Sequence, residues 1–272
     1  MMFPQISCLN PARLAVVAFF VLCSSAAASA LPPNPTLDAQ IESSLAHAAT
    51  QLTATVAYLE DLSAAESNPA RRPHFPQFTA NTFTTPNSPR PHGHWHTSHA
   101  TSSFWAKGSF AALLWMMADL AEDPAEQGEW RGWARKWSEP LRNYTGNDLT
   151  VNNYAVFRRW MEQAESGAER EAQRQTILEA TRLLVVPYDR TSNTGRFLEE
   201  AGIYGYRRRA ATGVFWFHAF IDHTPNVEQL LAASWLTDDP GEALGFREKA
   251  VSHILNLHRT MGPLRSPGEA GS

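Results

Sequence analysis

Apolar residues recur at three- and four-residue steps over most of this chain, and that period predicts helices. Between Thr36 and about Leu62 the stripe runs Ile41, Leu45, Ala48, Leu52, Val56 and Leu59, with Thr36 placed to cap the start. The same period predicts helices from Ser102 or Ser103 to Leu120, Glu126 to about Leu141, Asn152 to Gln163 and Ala168 to Leu184. Further on it predicts helices from Gly213 to about Ile221, Val227 to Trp235 and Ala243 to His258. Between Asn68 and Ala100 the pattern lapses into Pro, Ser, Thr and Asn, which reads as a long loop. Alternation is scarce, so strands are expected only at Leu183–Val186 and Gly202–Tyr206.

The helices come in pairs. Ala121-Glu122-Asp123-Pro124 and Thr237-Asp238-Asp239-Pro240-Gly241 join them with Pro, Gly and Asp punctuation. One amphipathic pair cannot bury its own apolar face, so paired helices stack as a solenoid or close into a ring. An all-α fold is expected.

The N-terminus follows a different logic. Arg13 precedes the apolar run Leu14–Cys23, and Ala28-Ser29-Ala30 supplies small residues suited to signal-peptidase cleavage. That run is about half the roughly 20 residues a membrane-spanning helix needs, so residues 1–30 read as a secretory signal and residues 31–272 as one domain. Secretion without a membrane anchor is the expectation. Both cysteines, Cys8 and Cys23, fall inside the signal, so no disulfide is expected and a buried core must stabilise the fold. The composition can supply one, being 43% hydrophobic with nine Trp and fourteen Phe.

A net charge of −4 offers no basic face for nucleic acid, which is not an expected partner. Asn143-Tyr144-Thr145 is an N-glycosylation sequon, making Asn143 a candidate glycan site.

Three stretches, taken in order, resemble the unsaturated glucuronyl hydrolases, glycoside hydrolase family 88, and the related unsaturated rhamnogalacturonyl hydrolases of family 105. The first is Phe104-Trp105-Ala106-Lys107-Gly108-Ser109-Phe110 through Leu114-Trp115, similar to the family's first barrel segment. The second is Asn147-Asp148-Leu149-Thr150-Val151, similar to a His-Asp-Leu-Gly-Phe segment carrying one of the family's two essential aspartates. Here Asn147, Thr150 and Val151 stand where the family has His, Gly and Phe. The third and strongest is Phe220-Ile221-Asp222-His223-Thr224-Pro225-Asn226 through Leu230-Leu231, similar to the family's Ile-Asp, Asn-Leu and Leu-Leu pattern.

The resemblance implies an (α/α)6 barrel of the six-hairpin glycosidase type, here lacking its last part, because the family continues beyond the region matched at Arg265. It also implies a reaction: hydration of the C4–C5 double bond in the unsaturated uronic acid that a polysaccharide lyase leaves at a chain end. Asp222 would be the acid/base and Asp148 its partner. Trp105, Asn226 and Tyr206 would contact an unsaturated uronic-acid oligosaccharide, with Tyr204 beside Tyr206 as the other aromatic candidate. No cofactor and no metal are implied. A catalytically inactive or truncated homologue that binds carbohydrate is the alternative.

Plainer readings stand beside these. Asp222, ahead of Pro225 and an apolar run, also reads as a helix cap, and Gly146-Asn147-Asp148 reads as a turn leading into one. Trp105, Trp115, Trp130, Trp133 and Trp137 fall at helical spacings that suit core packing. His92, His94, His96 and His99 have a spacing that could share a zinc ion, but no Cys or paired acid lies nearby, so no metal site is expected. Arg207-Arg208-Arg209 reads as a solvated turn before a helix.

Overall fold

The computed structural model describes residues 35–79, 95–102, 106–146, 148–186, 196–198, 202–209, 215–218 and 224–261. Among them the chain is mostly helical, with helices α1 (Pro35–Ala65), α2 (Lys107–Leu120), α3 (Pro124–Ser138), α4 (Ala155–Glu162), α5 (Gly167–Val185), α6 (Pro225–Leu236) and α7 (Pro240–Met261). None is long and apolar enough to cross a membrane. The chain divides into two compact units, residues 1–51 and 52–272. In the first, the described part is the opening half of α1, which starts at Pro35, so Thr36 lies within its first turn instead of capping it. Leu37 and Ile41 remain exposed there.

In the second unit the helices form consecutive hairpins, with α2 on α3, α4 on α5 and α6 on α7. The starts are written in the sequence. Asp123 accepts from the backbone N–H groups of Ala125 and Glu126 at 2.9 Å, and Pro124 fills the first helical position, where no donor is needed. The arrangement recurs at α7, where Asp239 accepts from Gly241 at 2.7 Å and Glu242 at 3.2 Å, ahead of which sits Pro240. Ser166 does the same for α5, accepting from Glu169 N–H at 3.1 Å.

Two apolar regions hold the hairpins. In one, Trp115 and Trp160 lie 5.6 Å apart, Phe110 meets Trp137 edge-on at 5.5 Å, and Phe157 stacks on Trp160 at 5.8 Å. Each buried indole N–H finds an acceptor, Ser138 Oγ for Trp115 at 2.9 Å and the His74 carbonyl for Trp137 at 2.8 Å. The second region gathers Leu149, Leu178, Leu184, Val227, Leu230 and Phe246, joining the approach to α4 with α5, α6 and α7.

Strands are more numerous than the pattern predicts. The expected loop 68–100 holds a short 3-10 helix, Pro69–Arg71, and an antiparallel pair, β1 (His74–Thr79) with β2 (Trp95–His99). Pro76 hides β1 from sequence reading, since proline cannot donate to a ladder, yet it sits beside a register shift between Pro76 and Phe78, the kind of irregularity at which strands admit proline. A three-stranded antiparallel sheet follows α5, with β3 (Arg196–Leu198), β4 (Ile203–Arg209) and β5 (Phe215–His218) in that order.

Three expectations are corrected. The helix predicted from Gly213 is a strand over Phe215–His218, where three consecutive aromatics suit a pleated surface better than a helix. Leu183–Val186, predicted as a strand, belongs to α5 through Val185, because Leu184 is buried on the helix face. Arg207–Arg209 lie in β4, not in a turn before a helix.

At Gly108 the backbone of α2 runs close against the Val151–Asn152 backbone. A Cβ there would stand 2.1 Å from the Val151 carbonyl oxygen and 2.6 Å from Asn152 Cα, both backbone atoms that cannot step aside. Gly128 and Gly132 on α3 have open space around them. Gly108→Ala is therefore expected to destabilise the fold by about 3 kcal/mol or more, whereas Gly128→Ala stabilises it by about 0.5–1 kcal/mol. Urea unfolding of the two variants checks this, and a tolerated Gly108→Ala would contradict the packing.

Candidate functional site

The three motif stretches meet at one turn. Residues Thr150–Tyr154 form a π-helical turn running into α4, with the Ala155 N–H reaching back five residues to the Thr150 carbonyl. Such wide turns are uncommon and recur at functional sites. Asp148 leads into it with φ of 58°, a left-handed conformation tolerated mainly by Gly, Asn and Asp, and its carbonyl accepts from the Asn152 N–H at 2.9 Å.

Two side chains of this turn reach in different directions. Asn152, fully buried, accepts from the Gly108 N–H at 2.8 Å and so ties the start of α2 to the turn. Thr150, also buried, donates to Gln229 Oε1 at 2.7 Å and meets the Asn226 amide, which ties the turn to the first coils of α6. At about 100° per helical residue, positions two apart point to nearly opposite sides, so one turn can grip two helices.

The protons in this network can be followed. Gln229 donates through Nε2 to Thr181 Oγ1 at 3.1 Å, and Thr181 donates to the Ile177 carbonyl at 2.8 Å. That orientation leaves the Gln229 oxygen to take the single Thr150 hydroxyl proton. The Asn226 amide must then offer its NH2 group to Thr150. Thr150, Thr181, Asn226 and Gln229 are all buried, so each needs these bonds to offset lost hydration.

A second polar group lies on the outer side of the turn. Tyr154 donates to Glu228 Oε1 at 3.4 Å, while Arg158 pairs with Glu228 and donates to Glu162 at 2.9 Å. Burial, and then the Glu228 charge, push the Tyr154 hydroxyl up to about 12, so it stays a proton donor at neutral pH.

Lys107, the first residue of α2, is fully buried. Its ammonium donates to the Ala100 carbonyl at 2.6 Å and to the Ser102 carbonyl, and stands 5.6 Å over the Phe75 ring. A cation at a helix N-terminus opposes the helix dipole, and no carboxylate among the described residues forms an ion pair with it. Burial accordingly pulls its pKa down from 10.5 to about 8.

Of the residues singled out in the sequence, Asp148 and Asn226 fall on segments joined by the Thr150 bonds. Asn226 is buried and its amide is engaged inside the protein. Trp105 and Asp222 lie outside the described residues, as does Asn147. The start of α6 is at Pro225 with Thr224 preceding it as cap residue, so the cap position is not Asp222. Tyr206 lies in β4, its backbone paired with His218. Asn143 is exposed in a turn. Trp115, Trp130 and Trp137 are core residues. His92 and His94 lie outside the described residues, and among those described no group of three or more His, Cys, Asp or Glu is placed to hold a metal ion.

Sequence reading misses the roles of Thr150, Asn152 and Gln229, the residues that join the segments. Thr150 and Gln229 lie inside the motif stretches and Asn152 just beyond the second, but nothing in those motifs assigns them a joining role, and polar residues interrupting an otherwise apolar face are the one available signal. Compared with known proteins, the chain matches no family model, no curated protein and no solved structure.

The buried amine sets a pH dependence. Between pH 8 and 10.5 the unfolded chain still holds the Lys107 proton that the folded chain has released, so this residue's contribution to stability rises with pH across that window. The neutral amine keeps two donors for its two carbonyls. Lys107→Met removes the effect. The stability gap between wild type and this variant is expected to widen by about 2 kcal/mol from about pH 7.5 to about pH 9.5 in urea melts, and a constant gap would contradict the assignment.

Proposed function

We propose that this chain is a secreted glycoside hydrolase acting on unsaturated uronic-acid oligosaccharides, built as an (α/α)6 barrel. The observation that carries the reading is the convergence of its three motif stretches on one turn. Gly108 of the first, Thr150 of the second and Asn226 of the third are joined through hydrogen bonds at residues 150–152. Consecutive antiparallel helix hairpins agree with a toroidal arrangement of paired helices.

In this reading Asp222, four residues ahead of Asn226 in the sequence, is the acid/base, and Asp148 is its partner. The left-handed backbone at Asp148 is the kind of local strain that functional sites retain. Asp222 delivers its proton to C4 of the substrate and draws one from the water that adds at C5, so the carboxyl group is restored. The hemiketal formed at C5 then opens and releases the remaining sugar. A carboxyl group can give and take a proton near neutral pH when neighbouring acids and burial raise its pKa. Trp105 and Tyr206 would supply faces for the sugar, and the exposed Asn143 would carry a glycan.

The double bond absorbs ultraviolet light and its hydration erases the band. The wild-type chain is expected to bleach lyase-generated disaccharides, while Asp222→Asn and Asp148→Asn each slow the reaction by about 100-fold or more. Asn tolerates the left-handed region, so Asp148→Asn isolates the charge from the backbone. Unchanged helical circular dichroism verifies folding. Full bleaching by Asp222→Asn would remove that residue from the mechanism, and no bleaching by wild type on uronic-acid or rhamnogalacturonan products would leave a carbohydrate-binding role.

A further inference from the structure

Helix α7 carries an apolar stripe on the side turned away from its own core. Phe246, Ala250 and His253 are buried on one face. At 100° per residue, Leu244, Val251 and Leu255 gather within about 40° of one another on the opposite face, with Ile254 on one flank. Their exposures are 56%, 43%, 41% and 45%. Helices facing water normally present polar residues there, and this one presents aliphatic side chains beside a shallow groove of about 390 Å³.

The charges along the stripe fit a copy of itself. Glu248 and Arg259 are exposed on the same flank, and neither forms a hydrogen bond or ion pair among the described residues. They stand equally far, about 8 Å along the axis, from a midpoint between His253 and Ile254. A two-fold axis through that midpoint, perpendicular to the plane of two antiparallel helices, keeps each flank on its own side and reverses height. Glu248 of one chain therefore meets Arg259 of the other, twice over, while Val251 packs beside Leu255 between the two pairs. Arg247 on the other flank is already held by Ser234 Oγ at 3.2 Å.

We infer that α7 is a self-association surface, through which two copies of this chain pair antiparallel in a two-fold dimer. Two-fold dimers use one patch twice, which a stripe bracketed by opposite charges satisfies. A helix lying on an anionic membrane surface would not place an acidic residue at the edge of its apolar stripe, where Glu248 stands. The surface is separate from the Asp148 turn and does not depend on the proposed chemistry.

Sedimentation equilibrium of the full chain across the micromolar range tests it. Wild type is expected to show a concentration-dependent monomer–dimer equilibrium, and Leu255→Lys, a change at an exposed position, shifts it to monomer with helical circular dichroism unchanged. Glu248→Arg and Arg259→Glu each weaken dimerisation by roughly tenfold, and the double exchange restores it. A wild type that stays monomeric throughout, or an association indifferent to these changes, would overturn the inference.

Discussion

Two buried hydrogen bonds in opposite directions from a single turn organise the second unit. Thr150 and Asn152 are two residues apart, which on a helix means opposite sides, and both are shut away from water. Each must therefore find a partner in the protein or forfeit about 1–3 kcal/mol. Asn152 finds the Gly108 N–H, and Thr150 finds Gln229 and Asn226. Helices α2 and α6 are held in register by that requirement, since sliding either by one residue would orphan the turn's side chains. Apolar packing alone, between Trp115 and Trp160 or among Leu178, Leu230 and Phe246, is less exacting about register.

The same junction explains why glycine begins α2 and why an aspartate introduces the turn. Gly108 admits the Val151–Asn152 backbone, and Asp148 takes the left-handed conformation that swings the chain from the Tyr144 region into the turn. Lys107 closes the opposite side by binding two loop carbonyls, at the cost of burying an amine.

Much of the helical content was legible, because long periodic segments with Asp-Pro starts leave little ambiguity. The breaks at Asp123-Pro124 and Asp239-Pro240 were legible as punctuation between helices. The helices begin at those prolines, two and three residues ahead of the starts the period predicts, with both Asp side chains accepting from first-turn N–H groups. Short segments were not legible. Phe215–His218 is a strand and Leu183–Val185 a helix end, and four residues do not carry enough period to separate the two. Pro76 concealed β1, since its tolerance at a bulge depends on a partner strand the local sequence does not reveal. Within the candidate site, Asp148 and Asn226 could be named from motifs. The joining roles of Thr150, Asn152 and Gln229 were not legible, because a buried hydrogen bond between positions 44 or more apart leaves no local trace.

The claim that one turn couples these helices is most directly tested by a double-mutant cycle between Thr150→Val and Gln229→Leu, read by urea unfolding. If the hydroxyl and amide depend on each other within the core, the two single changes are each costly and the double change costs less than their sum, with a coupling of about 1–2 kcal/mol. Strict additivity would mean that the Thr150 hydroxyl and the Gln229 amide do not interact, and the coupling of the turn to α6 through Gln229 would be contradicted.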